Sequence, residues 1–169
     1  WASYSFAFYL GKGLLPIGLS PIYEIEHGFP TGRAILGAAV LAAGTAAAVA
    51  LRRRAPGFLL LWLGYACLAL PTLGFLQSGP QFAADRYTYF AGMPWALAFG
   101  WGAARAGKLA TGIVLLLLAV ATIRQVSVWR DSASLWEHAL PVRPSSSIAH
   151  YNLARVYQDG GKLDRAAEE

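Results

Sequence analysis

The sequence predicts an all-α protein: a polytopic α-helical membrane bundle followed by a soluble stretch of helical-hairpin repeats. Three observations carry that prediction. Hydrophobic residues fill 56% of the 169 positions and charged residues only 14%, where an ordinary soluble domain is about a quarter charged. Uncharged apolar runs approach the roughly 20 residues that a helix needs to cross a bilayer. Beyond Trp129 the chain turns charged and helix-patterned, with a Pro/Ser break at "PVRPSSS".

The membrane domain is expected over residues 1–128, opening with an outer segment at 1–33. Residues 34–51, "AILGAAVLAAGTAAAVAL", carry no charge and are rich in Ala and Gly, small residues that let helices approach closely in lipid. They form the first span, closed by Arg52, Arg53 and Arg54 and an "APG" turn. The second span is 57–77, in which Pro71 is tolerated as a kink because neighbouring helices can satisfy the freed carbonyl. A weaker third span at 88–104 carries Trp95 and Trp101 and ends at Arg105 and Lys108. The fourth, 109–128, contains Arg124 near its end, where the side chain must snorkel to the interface or emerge.

Lys and Arg in short loops set the direction. Loops 52–56 and 105–108 hold the basic clusters and are expected on the cytoplasmic side. The outer segment, loop 78–90 and everything after the fourth span then lie on the extracytoplasmic side.

The net charge of +5 sits at the ends of apolar segments rather than on one helix face, so no nucleic-acid partner is expected. Cys67 is the only cysteine, which excludes an intrachain disulfide and a cysteine metal site; His27, His138 and His150 stand at no ligand spacing, so no metal is evident. With no initiator Met and an end at "DRAAEE" within a helical pattern, the chain reads as an internal piece of a longer protein.

Between the second and third spans, "QFAADRYTYFAG" interrupts the apolar runs with ionisable groups. One reading is an aromatic belt of Tyr87 and Tyr89 at the membrane interface, with Asp85 and Arg86 as a locally neutralised pair. The other makes Arg86 a site for an anionic ligand such as a lipid phosphate, because a guanidinium presents a planar fork of donors to phosphate oxygens. Gln77 and Gln81 add polar groups nearby, and Asp85 would either orient the arginine or act as a base. Glu24 and Glu26, in "YEIEHG", read as solvated loop charges.

Residues 129–169 begin a repeat domain. The stretch "SIAHYNLARVYQDGGKLDRAAEE" is a helix, a Gly turn and the start of a second helix, with the spacing of a tetratricopeptide repeat of about 34 residues. With Ser147 at repeat position 1, Leu153 falls at 7, Ala154 at 8, Tyr157 at 11 and Ala166 at 20, and His150 takes the usual tryptophan place. Run backwards, the same register puts Trp136 at 24, Ala139 at 27 and Pro144 at 32 of an earlier repeat. Most of these residues pack helix on helix. Asn152 and Arg155 are the candidates for a groove that holds an extended peptide.

An outer "LLPIGLSPIY" segment, an outward "QSGPQFAADRYTYF" loop, a last span and then tetratricopeptide repeats together resemble the transmembrane-and-tetratricopeptide protein O-mannosyltransferases and their bacterial relatives. The matching residues are Pro16, Leu19 and Tyr23 in the first stretch and Gln77, Gly79, Ala84, Asp85, Arg86, Tyr87 and Tyr89 in the second. The resemblance implies transfer of a sugar, mannose or a related hexose, from a polyprenyl-phosphate carrier to an outward-facing protein hydroxyl, with the repeats holding the acceptor protein. The polyprenyl-phosphate-linked sugar would be the donor substrate, with membrane lipids and the acceptor as partners. In that enzyme class the catalytic acid lies in the first outward loop, upstream of Trp1, so no residue here is assigned as the base and this piece alone is expected to be inactive. A non-catalytic membrane scaffold that recruits partners through its repeats is the alternative. A transporter, hinted at by Pro71 and Pro94, is a third reading without a visible inverted repeat.

Overall fold

The computed structural model of the chain describes every residue except Glu26, His27, Phe29, Leu76, Gln77 and Ser78. Among the described residues there are eight α-helices, two short 3-10 turns and one two-stranded ribbon, so the all-α expectation holds. The chain forms two compact units, Trp1–Ile17 with Ile22–Trp101, and Gly18–Pro21 with Gly102–Glu169.

The first unit contains a helix within the outer segment that the sequence reading did not assign. Helix α1, Ala2–Leu14, buries Ser5, Phe6 and Tyr9, one stripe at helical spacing. It lies against α2, Thr31–Leu51, at a glycine: a Cβ on Gly37 would stand 2.1 Å from the Ser3 carbonyl oxygen. The Ser3 hydroxyl also donates to the Ala34 carbonyl at 3.0 Å. Helix α3, Pro56–Ala69, starts on a proline whose missing N–H costs nothing in the first turn. Its Trp62 ring lies over Gly44 of α2, and the Trp62 indole N–H donates to Thr45 Oγ1 at 3.1 Å. The Tyr65 hydroxyl donates to the Phe6 carbonyl, tying α3 to α1.

Within the second expected span, 57–77, residues 76 and 77 lie outside the described residues. The α-helix ends at Ala69 and gives way to a 3-10 turn at Leu70–Thr72. Pro71 has no N–H to give and its ring crowds the preceding turn, so the chain leaves the α-helix instead of kinking through it. The third corresponds to α4, Thr88–Ala106, whose Pro94 ring packs 3.3 Å from where a Gly64 Cβ would be.

Among the described residues, two helices are long and apolar enough to cross a membrane: α2, with mean hydropathy 2.2, and α5, Lys108–Val128, with 2.0. Helix α3 is apolar but too short, and the Trp, Tyr, Pro and Gly of α4 dilute its apolarity. This much supports association with a membrane.

In the second unit α5 buries none of its residues. Three short helices follow: α6, Ser132–Val142; α7, Ser147–Asp159; and α8, Leu163–Glu168. Asp131 caps α6 by accepting the Ser134 N–H at 2.8 Å, and Ser146 caps α7 by accepting the Ala149 N–H at 3.1 Å. Helix α7 packs on both neighbours, with Ala139, Ala149 and Leu153 buried. The Tyr157 hydroxyl donates to Glu137 at 2.9 Å, fastening α7 to α6.

Candidate functional site

The stretch that drew attention in the sequence is built on the ribbon. Gly79, with φ of +112°, turns the chain in the left-handed region and leads through Pro80 into strand β2, Gln81–Ala83. This strand pairs antiparallel with β1, Tyr23–Glu24; Tyr23 lies opposite Ala83 and Glu24 opposite Gln81, with an irregular step between them. The Ile25 N–H donates to the Pro80 carbonyl at 2.9 Å, lengthening the pairing.

Aromatic packing holds the ribbon on α1. The buried Phe82 ring stacks on Tyr4 at 4.9 Å and Trp1 at 5.4 Å and meets the edge of Phe8 at 5.4 Å. Each such pair contributes about 0.5–1.5 kcal/mol beyond the area it buries. The Ser5 hydroxyl donates to the Phe82 carbonyl at 3.3 Å. A 3-10 turn at Asp85–Tyr87 follows, and the Thr88 hydroxyl donates to the Asp85 carbonyl at 2.6 Å as α4 begins.

Asp85 and Arg86 do not pair. The Asp85 carboxylate, 9% exposed, turns inward and accepts the Tyr23 hydroxyl on both oxygens at 3.1 Å. Lys12 of α1 stands within reach of its charge. The ammonium lies 5.3 Å from the Tyr23 ring centre and 5.6 Å from that of Phe8, and it donates to the Ile17 carbonyl at 2.6 Å. Partial burial holds Lys12 below the ordinary lysine range, while the Asp85 charge pulls the other way.

Arg86 is exposed. Its guanidinium sits 5.1 Å from the centre of the Tyr87 ring, with Nη2 at 3.5 Å from the Tyr87 hydroxyl. Among the described residues no carboxylate pairs with it. Below it Tyr9 is buried and meets the edge of the Tyr87 ring at 6.4 Å. The Tyr9 hydroxyl lies against the Ala84 backbone outside hydrogen-bond geometry and has no hydrogen-bond partner among the described residues. Burial pushes this phenol well above the ordinary tyrosine range, with the charges of Tyr87 and Asp85 adding to the shift.

Of the other candidates, Tyr89 is exposed at the start of α4, and Gln81 is half-buried with its side-chain carbonyl over Gly79. Gln77, like Glu26 and His27, lies outside the described residues; Glu24 is in β1. In the tail, the Asn152 amide nitrogen donates to the Ile148 carbonyl at 2.7 Å, back onto its own helix, and Arg155 is exposed. His150 reaches the Pro144 carbonyl at 2.9 Å through Nε2 and Glu169 through Nδ1. Among the described residues no group of His, Cys, Asp or Glu is placed to hold a metal ion.

Sequence reasoning missed Lys12 and Tyr9. Lys12 had a signal, as a single cation in an otherwise uncharged aromatic segment. Chemically, the cluster offers one exposed, planar cation with a phenol beside it, over a buried carboxylate that is already engaged. That equipment suits binding an anion rather than moving a proton. Comparison with protein families, with characterised proteins and with solved structures finds no match for this chain.

Proposed function

We propose that this chain is the C-terminal membrane part of a glycosyltransferase that moves a sugar, mannose or a close relative, from a polyprenyl-phosphate carrier to a hydroxyl of an outward-facing protein. The observation that carries the reading is Arg86: an exposed guanidinium without a carboxylate partner among the described residues, on the 3-10 turn that follows the ribbon packed on α1. A phosphate at a membrane face is the ligand that such a donor fork fits best.

In this reading α2, α3, α4 and α5 all cross the membrane, α3 and α4 completing their passage against neighbours. The triple arginine after α2 and the pair at 105–108 face the cytoplasm, and the ribbon and the tail lie outside. The hairpins α6–α7 and α7–α8 are the beginning of a tetratricopeptide array that holds the acceptor, with Asn152 and Arg155 on its groove. Their support is the agreement of the helix boundaries with the repeat register. Arg86→Ala in the full-length protein is expected to lower sugar transfer from a polyprenyl-phosphate donor about 100-fold or more, as loss of a charge-stabilising donor does, without changing membrane insertion. Unchanged transfer removes Arg86 from the site.

The alternative is a non-catalytic membrane scaffold that recruits partners through the helical tail. A scaffold would bind partners through its tail and show no affinity for the donor lipid.

A further inference from the structure

Asp85 and Arg86 are neighbours in sequence and opposites in placement, one carboxylate buried and one guanidinium exposed. A salt-bridged pair at this position would present no net charge to a ligand. Here the carboxylate is occupied elsewhere: both its oxygens accept the Tyr23 hydroxyl, across a separation of 62 residues, and it faces Lys12. That contact ties the 85–87 turn to β1 and α1. The turn in turn fixes Tyr87, whose ring is wedged edge-on against buried Tyr9 and carries the guanidinium on its face.

We propose that Asp85 and Tyr23 are positioning residues for the outer anion site: their contact turns the carboxylate away from Arg86 and holds the Arg86–Tyr87 pair ready for a phosphate headgroup. The inference rests on the phosphate-binding reading of Arg86 given above. The ligand class is a phosphate monoester or diester of a lipid, taken by the guanidinium fork with the Tyr87 hydroxyl beside it. Lipid phosphate and free phosphate share that chemistry, and the lipid source would gain from the apolar surface of the helices below.

Two roles for Asp85 predict opposite signs. If it neutralised Arg86, removing its charge would tighten anion binding. As a positioning residue, its loss weakens binding. The test uses the full-length protein in micelles of a phosphorus-free maltoside detergent, titrated with farnesyl phosphate and, separately, with inorganic phosphate, followed by phosphorus NMR. Farnesyl phosphate is expected to bind the more tightly. Tyr23→Phe and Asp85→Asn are each expected to weaken it about tenfold, as loss of a partner that orients a ligand-binding group does.

Measured well below the melting temperature of each variant, where the folded fraction is unchanged, Tyr23→Phe should still weaken farnesyl phosphate binding, which separates positioning from mere stability. Tighter binding in Asp85→Asn, or unchanged binding in Tyr23→Phe, overturns the proposal even if Arg86→Gln abolishes binding. Unchanged binding in Arg86→Gln overturns the phosphate reading itself. Should Asp85→Asn fail to insert, Tyr23→Phe, which keeps every charge, decides alone.

Discussion

Helices α2 and α5 have the same length, 21 residues, and nearly the same mean hydropathy, 2.2 and 2.0, yet they meet their surroundings in different ways. Helix α2 buries Ala34, Gly37 and Ala48 and accepts a tryptophan ring over Gly44, while its large side chains Ile35 and Leu36 remain exposed. Helix α5 buries nothing, and Leu115, Leu116, Leu117 and Leu118 are exposed in succession around it. Hydropathy therefore identifies a helix fit for lipid, and side-chain size identifies which face of it meets protein. An apolar helix exposed on all sides has no stable place in water.

The largest effect expected from this comparison is on α5. Leu118→Arg, at its middle, should cost about 2.5–3.5 kcal/mol of membrane insertion, read by glycosylation mapping of the two flanks. Unchanged insertion of that variant would mean that position 118 does not face lipid. Next come matched glycines. A side chain at Gly37 collides with the Ser3 carbonyl, whereas Gly112 of α5 has open space around it. Gly37→Val is expected to destabilise the first unit by about 1–3 kcal/mol, the usual range for overpacking, and Gly112→Val to leave thermal unfolding in detergent unchanged. Equal effects would erase the distinction between the two helices.

Smaller effects belong to the caps beyond α5. Ser146→Ala should cost about 1 kcal/mol, visible as faster amide exchange in the first turn of α7. At α6 the backbone N–H and hydroxyl of Ser134 hold the Asp131 carboxyl down at about 2, with Arg130 assisting. A depressed carboxylate stabilises the folded form above its unfolded pKa, about 3.9. That contribution is lost as pH falls from about 4 through about 2. The first turn of α6 should fray in that window, followed by NMR of the Asp131 carboxyl, and an ordinary midpoint would refute the cap.

How far the sequence foretold this structure depended on whether the cause was local. The runs at 34–51 and 109–128 became helices 31–51 and 108–128 because an uninterrupted apolar stretch is its own signal. The Gly160–Gly161 turn likewise acts within a few residues of where it stands. Helix α1 was overlooked because its buried face is Ser5, Phe6 and Tyr9, a polar and aromatic stripe rather than an aliphatic one, and glycines at 11 and 13 follow it. In the candidate site, Arg86, Tyr87 and Asp85 were legible as residues but not in their relation. The phenol that claims Asp85 comes from a strand two residues long, far back in the chain, and such a contact leaves no periodicity to read.

The ribbon also imposes an order of events on synthesis. Tyr23 leaves the ribosome 62 residues ahead of the carboxylate it will hold, a wait of about 3–12 s at usual elongation rates of about 5–20 residues per second. During that interval α2 and α3 are made, while Phe8 and Tyr23 have no Phe82 to cover them. Nascent chains halted before residue 82 should therefore expose this aromatic face to chaperones or proteases, and those released a few residues later should hide it.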